Sequence, residues 1–138
     1  MTKGRVPSTA TRRVVRRVSY GLEDGVWILA FAEARDGRGR SLVFQRAVRV
    51  GAQDRELGMD TVCLTRDDGP SVYGGLEACC VEATRVTLRL QAAAATTLGL
   101  KATVWLDLEV PATEIAAAVR GLRRCLRGKV PVVRVGRA

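Results

Sequence analysis

The stretch LGMDTVCL at residues 57–64, followed closely by YGGL at residues 73–76, decides how the middle of this chain folds. Its β-branched and apolar residues predict a strand, the DDGP sequence at residues 67–70 predicts a tight turn, and Tyr73 opens a second strand. Two adjacent glycines in such a pattern mark either a β-bulge or a place where another backbone comes close. Neither half matches a catalytic, metal-binding or nucleotide-binding signature. The stretch therefore predicts a strand–turn–strand scaffold.

Short strands separated by turn residues account for most of the chain on either side. The first predicted strand is weak and lies at a sheet edge, and the second is continuously apolar, as in a central strand covered on both faces. These outer strands are predicted over residues 14–18, 26–34, 42–50, 86–90 and 102–110. Arg46 falls on the same face of its strand as Leu42 and Phe44. It is either a functional anchor or the sign of a bulge or edge-facing position, and the pattern favours the second explanation.

Two segments have helical patterns. Residues 92–98 are helical in composition and end at Gly99, and Pro111 opens a longer helix that Gly128 can close. The sequence thus predicts an α+β domain: a mainly antiparallel sheet of about six to seven strands, one short helix and one longer C-terminal helix. Residues 51–58 are expected to form a polar, mostly acidic loop.

The chain is long enough for one domain, and two are not expected. We divide it into a flexible basic leader (residues 1–11), one domain (12–128) and a basic tail (129–138) that either adds an edge strand or hangs free.

The net charge of +9 is unevenly distributed along the chain. Residues 1–18 hold six basic residues and residues 120–138 hold seven, neither range with an acid, so residues 19–119 carry a net charge of −4. Genomic base composition explains the abundance of arginine as well as a selected basic surface does. The basic ends contain no aromatic platform for single-stranded nucleic acid, so solvated ends are favoured and nucleic acid is not an expected partner.

Composition argues against an enzyme, a metal site and a membrane protein. Without histidine, Ser–His and Cys–His pairs are impossible, and adjacent Cys79 and Cys80 point to opposite faces of a strand. The other two thiols, Cys63 and Cys125, are best explained as small buried apolar side chains. We therefore expect no catalytic residues, metal or cofactor. No apolar run could span a bilayer and the basic N-terminus lacks a signal-peptide core, so we expect a cytoplasmic protein.

An acidic group flanks the YGGL step. Asp54, Glu56 and Asp60 precede it, and the turn adds Asp67 and Asp68. Acids in a polar loop are more often a solvated face than a carboxylate pair, and a tyrosine at such a step is as often in the core as at an interface. An acidic face nevertheless suits a basic protein partner.

Four motifs, in this order and spacing, resemble the immunity protein 10 family of bacterial polymorphic toxin systems. The resemblance runs over residues 14–126, and its motifs are LVFQR at 42–46, DxELGMDT at 54–61, YGGL at 73–76 and LxAAAAxxLG at 90–99. It implies a small cytoplasmic protein that binds and neutralises a cognate toxin domain by stoichiometric occlusion, without turnover or cofactor. The toxin-binding candidates are Asp54, Glu56, Asp60, Tyr73 and Glu77. The alternative is a non-enzymatic domain that self-associates through an edge strand, as a homodimer, or contacts nucleic acid through its arginine-rich termini.

Overall fold

Among the described residues, alternating buried and exposed positions form ten strands. Apolar side chains at helical spacing form two of the three helices, both in the last third of the chain. The computed structural model describes residues 7–56 and 61–135. The elements are β1 (Ala10–Val15), β2 (Arg17–Glu23), β3 (Val26–Ala32), β4 (Ser41–Ala47), α1 (Ala52–Glu56), β5 (Cys63–Arg66), β6 (Ser71–Tyr73), β7 (Leu76–Glu82), β8 (Arg85–Leu90), α2 (Ala92–Leu98), β9 (Thr103–Leu108), α3 (Ala112–Cys125) and β10 (Val132–Val135).

The strands form two five-stranded sheets around one core. Sheet 1 has the order β1-β9-β8-β7-β10 and sheet 2 the order β2-β3-β4-β5-β6. The two edge pairs of sheet 1, β1–β9 and β7–β10, are parallel, and the other neighbouring strands are antiparallel. α3 packs on the inner face of sheet 2 so closely that a Cβ atom on Gly121 would lie 2.8 Å from Leu29. Leu29, Phe31, Leu88, Leu106 and Leu122 belong to the single buried cluster that joins both sheets to α3.

The chain crosses between the sheets at Arg16. The carbonyl oxygen of Val15 accepts the N–H of Glu109 at the edge of sheet 1, whereas the N–H of Arg16 donates to Ala32 in sheet 2. Two consecutive residues therefore serve different sheets. The predicted single strand over residues 14–18 is wrong for this reason, because its alternation continues across the break.

The YGG step is the second crossing. Gly74 and Gly75 lie between β6 and β7, with φ values of 72° and 80° that favour glycine. A Cβ atom on Gly75 would stand 2.5 Å from the Cβ of Ala94 in α2, and the Gln91 N–H donates to the Gly75 carbonyl oxygen at 2.7 Å. The predicted close approach is confirmed, with α2 as the neighbour, and β7 also carries a register shift near its start.

The α+β class and the mainly antiparallel pairing are confirmed, but the predicted counts of six to seven strands and two helices are too low. Residues 52–56 form α1 where a loop was expected, and β10 adds an edge strand beside β7. The bulge favoured at Arg46 is also wrong, because β3 and β4 pair without a register shift. Ile28 and Ala30 are only half-buried, so β3 is fully covered on one face alone.

Candidate functional site

One end of sheet 2 carries three of the large apolar side chains that are exposed. Leu22, Val48 and Tyr73 are 53%, 50% and 46% exposed. The β2–β3 turn is a two-residue Asp24-Gly25 hairpin with both φ values positive, 50° and 77°, as a type I′ turn requires. The N–H of Val48 donates to the carbonyl oxygen of Gly25 at 2.9 Å, which ties the start of the β4–α1 connection to this turn.

The acids at this end have no ion-pair partner. Within the described part of the chain, no basic side chain lies within ion-pair distance of Glu23, Asp24 or Asp54. Arg49 and Arg55 are exposed on the same β4–α1 segment, and Arg46, Arg124 and Arg127 line a depression with Val48, so the charge around these acids is mixed. We call the six residues Leu22, Glu23, Asp24, Val48, Asp54 and Tyr73 the acidic rim.

Two acids at the opposite end of sheet 2 differ, because arginines hold them. Glu33 lies 2.7 Å from Arg40, and Glu114 lies 2.6 Å from Arg35. In each pair the hydrogen bond from the arginine lowers the pKa of the carboxyl group. Glu33 and Glu114 are therefore already engaged, whereas Glu23 and Asp24 keep their carboxylates available to another molecule. Asp68, in the β5–β6 turn at the opposite end, is exposed and also has no ion pair among the described residues.

Asp54 and Tyr73 line one shallow depression on the outer face of sheet 2. Its floor includes Val26, Gln45 and Cys63. Partial burial, together with the nearby Cys63 and Asp54, raises the pKa of Tyr73, so its hydroxyl remains protonated at neutral pH and can donate a hydrogen bond.

Asp54 also has a structural role. One of its carboxylate oxygens accepts the backbone N–H of Gly51 at 3.1 Å. Asp54 is the third residue of α1, so this contact has the form of the reciprocal half of a capping box. Replacing the residue would weaken α1 as well as remove a charge.

The structure places the five predicted toxin-binding residues in different surroundings. It brings Asp54 and Tyr73 together, leaves Glu56 exposed at the last residue of α1, and puts Glu77 in β7 of sheet 1. Asp60 lies outside the described residues.

Leu22, Glu23, Asp24 and Val48 were missed by sequence reasoning. The Asp24-Gly25 hairpin signal could have found the two acids, because it places them at a sheet end.

The outer face of sheet 1 carries a second cluster of charged side chains, but these are paired with one another. The guanidinium of Arg85 lies 3.9 Å above the ring centre of Trp105. Asp107 accepts hydrogen bonds from Arg12 and Arg85, both at 2.6 Å. A partner that used these groups would first have to break these contacts, so this face is the weaker candidate.

The side chains of the described residues form a surface suited to binding, and the buried thiols are not arranged as reactive groups. Burial raises the pKa of Cys79 to about 12 and that of Cys125 to about 11, so both thiols are protonated at neutral pH. Across residues 7–56 and 61–135, no group of three or more Cys, Asp or Glu side chains is arranged to hold a metal ion. In the same ranges, no helix is both long and apolar enough to cross a bilayer.

Comparison with protein families assigns the chain to one of them. Residues 14–116 match the model of immunity protein 10, a range that includes all of sheet 2 and every residue of the acidic rim. A search among curated proteins finds no match. Because the family match covers most of the chain in one continuous range, this protein belongs to the immunity protein 10 family.

Proposed function

We propose that this protein binds a cognate toxin domain through the acidic rim and neutralises it in the cytoplasm by stoichiometric occlusion, without turnover or cofactor. One observation carries the proposal: three exposed apolar side chains and three unpaired carboxylates share one end of sheet 2. Family membership supports the general role, and the rim supplies the surface.

The composition of the rim suits a protein interface. Tyr73, Leu22 and Val48 would supply apolar contact area, and a tyrosine is a frequent hot-spot residue. The five strands of sheet 2 lie about 4.8 Å apart, so the rim extends roughly 19 Å from β2 to β6. That width fits a standard interface, which buries about 800 Å² on each partner.

The charge of the rim suits a basic partner, such as a toxin that binds nucleic acid. Glu23 and Asp24 can pair with a partner's lysines or arginines without breaking an internal ion pair, unlike Glu33 or Glu114 at the other end. Unpaired acids at a rim mainly accelerate encounter, whereas a buried aromatic slows dissociation. The two parts of the rim should therefore change different rate constants.

The test is co-expression with the toxic product of the adjacent gene, followed by measurement of binding rates with purified proteins. We expect Tyr73→Ala to weaken binding about 30-fold, mainly through faster dissociation. We expect Glu23→Lys with Asp24→Asn to slow association at least about tenfold at low salt, because asparagine keeps the positive-φ turn while the charge is lost. Both variants should lose protection of the cell.

Glu82→Lys is the matched control, because Glu82 is an exposed acid in sheet 1 with no ion pair among the described residues. It should protect as well as the parent protein. Glu56→Lys and Glu77→Lys test the remaining candidates that the structure describes. If Glu77→Lys abolished protection while both rim variants kept it, docking through the rim would be wrong and sheet 1 would carry the interface. A neighbouring gene product without toxicity would contradict the immunity role itself.

A further inference from the structure

Ion pairing neutralises much of the basic N-terminal segment. Arg12 pairs with Asp107, and Arg13 pairs with Asp67. Arg16 lies 3.8 Å from Glu109. The local excess of positive charge at the start of the chain is therefore much smaller than the sequence suggests.

The C-terminal helix keeps its charge. At 100° per residue, Arg120, Arg123 and Arg124 fall within an arc of about 100°, and Arg127 lies two residues beyond the helix end. We call these four arginines the α3 basic face. The buried residues Ala118, Leu122 and Cys125 lie on the other side of the helix axis. Within the described ranges, no carboxylate lies within ion-pair distance of any of the four arginines.

Stabilisation of the helix end accounts for Arg123 and Arg124, which lie in the last turn, but not for the whole face. Arg46, which reaches α3 from β4, donates to the carbonyl oxygens of Cys125 at 2.8 Å and Arg127 at 2.7 Å. These bonds already satisfy carbonyl groups at the end of the helix. The helix dipole acts only within the last turn, and Arg120 lies before that turn.

An aromatic stack holds one guanidinium of this face in place. The rings of Tyr20 and Trp27 are stacked with 5.7 Å between their centres, and Arg124 lies 4.6 Å above the centre of Trp27. Arg46, Arg124 and Arg127 line a depression beside this stack, whose other lining residues are Trp27, Ala47 and Val48. A depression with three guanidinium groups and no acid is an environment for an anion.

We infer that the α3 basic face binds the phosphate backbone of nucleic acid without sequence preference. Arginine binds phosphate oxygens in a bidentate manner, and the stack reduces the freedom that Arg124 would lose on binding. Trp27 already contacts both the Tyr20 ring and the Arg124 guanidinium, so contact would be made through phosphates rather than through base stacking. A lipid surface fits less well, because the apolar side of α3 is in the core and the basic side presents no large apolar side chain to insert.

This inference concerns a different surface from the proposed toxin binding, although the two adjoin at Val48, which lines the depression beside the stack. The face uses residues 120–127, which lie beyond the family match at 14–116. It also uses the inner side of sheet 2, whereas the depression that holds Asp54 and Tyr73 is on the outer side. The test therefore needs no toxin.

The test measures fluorescence anisotropy of labelled single-stranded DNA and RNA of about 16 nucleotides with the purified protein. Three phosphate contacts predict a log–log slope of affinity against salt near −2, which is roughly a 16-fold loss between about 50 and 200 mM salt. The triple variant Arg123→Gln, Arg124→Gln, Arg127→Gln should remove most of that slope. Oligonucleotides of different sequence should bind with similar affinity.

The matched control is the triple variant Arg16→Gln, Arg38→Gln, Arg40→Gln, which removes the same charge from arginines that are ion-paired. It should keep the slope and at least half of the affinity. Equal losses in the two variants would overturn the inference, because net charge alone would then explain binding. Absence of binding at low salt would overturn it as well. So would tighter binding to phosphatidylserine vesicles than to the oligonucleotides, if the α3 variant abolished it.

Discussion

Three arginines near the start of the chain are ion-paired, whereas those of the α3 basic face are not paired among the described residues. Arg12, Arg13 and Arg16 lie near the carboxylates of Asp107, Asp67 and Glu109. The arginines of the α3 basic face have no such partner within the described residues. In sequence the two groups look alike, since each lies in a basic segment without acids.

The difference arises because folding brings the arginines near the start of the chain next to carboxylates that are distant in sequence. Each carboxylate that pairs with the first strands is more than fifty residues away in sequence. Arg13 is the most deeply placed, at 6% exposure, and it also donates to the carbonyl oxygen of Ser41 in sheet 2. Because Arg13 belongs to sheet 1, its bonds to Ser41 and Asp67 join the two sheets.

The largest loss of stability is expected when the bonds of Arg13 that join the two sheets are removed. Arg13→Met keeps the apolar part of the side chain but leaves Asp67 without its main partner. Losing one member of a buried pair is strongly destabilising, and Asp67 is about a quarter exposed. We expect a loss of about 2–3 kcal/mol in the free energy of unfolding, measured by urea denaturation.

The control is the double variant Arg13→Met with Asp67→Asn, which removes both charges. We expect it to be no less stable than Arg13→Met alone, since the unpaired carboxylate has gone. If the two single substitutions destabilised additively in the double variant, the ion pair would not be what joins the sheets.

A loss of stability of intermediate size is expected at acidic pH. The hydrogen bond from Arg13 lowers the pKa of Asp67, and that from Arg35 lowers the pKa of Glu114. A carboxyl group whose pKa is lowered by folding stabilises the protein fully above its unfolded pKa, near 4. That contribution is lost as the pH falls from about 4 through the folded pKa.

Urea midpoints measured across this range should therefore fall steeply below about pH 4. Asp67→Asn should be less stable at neutral pH yet lose less stability on acidification, because it has one carboxylate fewer to protonate. An unchanged acid response in Asp67→Asn would place the pH dependence elsewhere.

Local patterns predicted the elements that depend on local rules. Gly99 ends α2 in the left-handed conformation as expected, and the DDGP sequence at residues 67–70 forms the expected turn between β5 and β6. The missing features depend on contacts between distant residues. Nothing around Arg16 signals a change of sheet. The sequence left open whether the tail adds an edge strand, and β10 does so because β7 offers it an edge.

Some residues of the candidate site could likewise be predicted from local motifs, whereas others depend on contacts between distant residues. Tyr73 and Asp54 could be proposed from the motif that contains them, and the structure places them in one depression. Glu77 belongs to a different sheet because the chain crosses at the two glycines between it and Tyr73. Leu22 and Val48 could not be identified as a pair from sequence, because their proximity depends on how β3 pairs with both neighbours.

The smallest change in stability is expected when arginines of the α3 basic face are replaced. Arg120, Arg123 and Arg127 are exposed and have no ion pair to lose within the described residues. Changing all three to glutamine, a good helix former, should alter the free energy of unfolding by less than about 0.5 kcal/mol per site. Removing mutual repulsion could even raise the urea midpoint at low salt, and added salt should erase that gain. A large loss of stability would show that these arginines are structural like Arg13, and the contrast between the two ends of the chain would then fail.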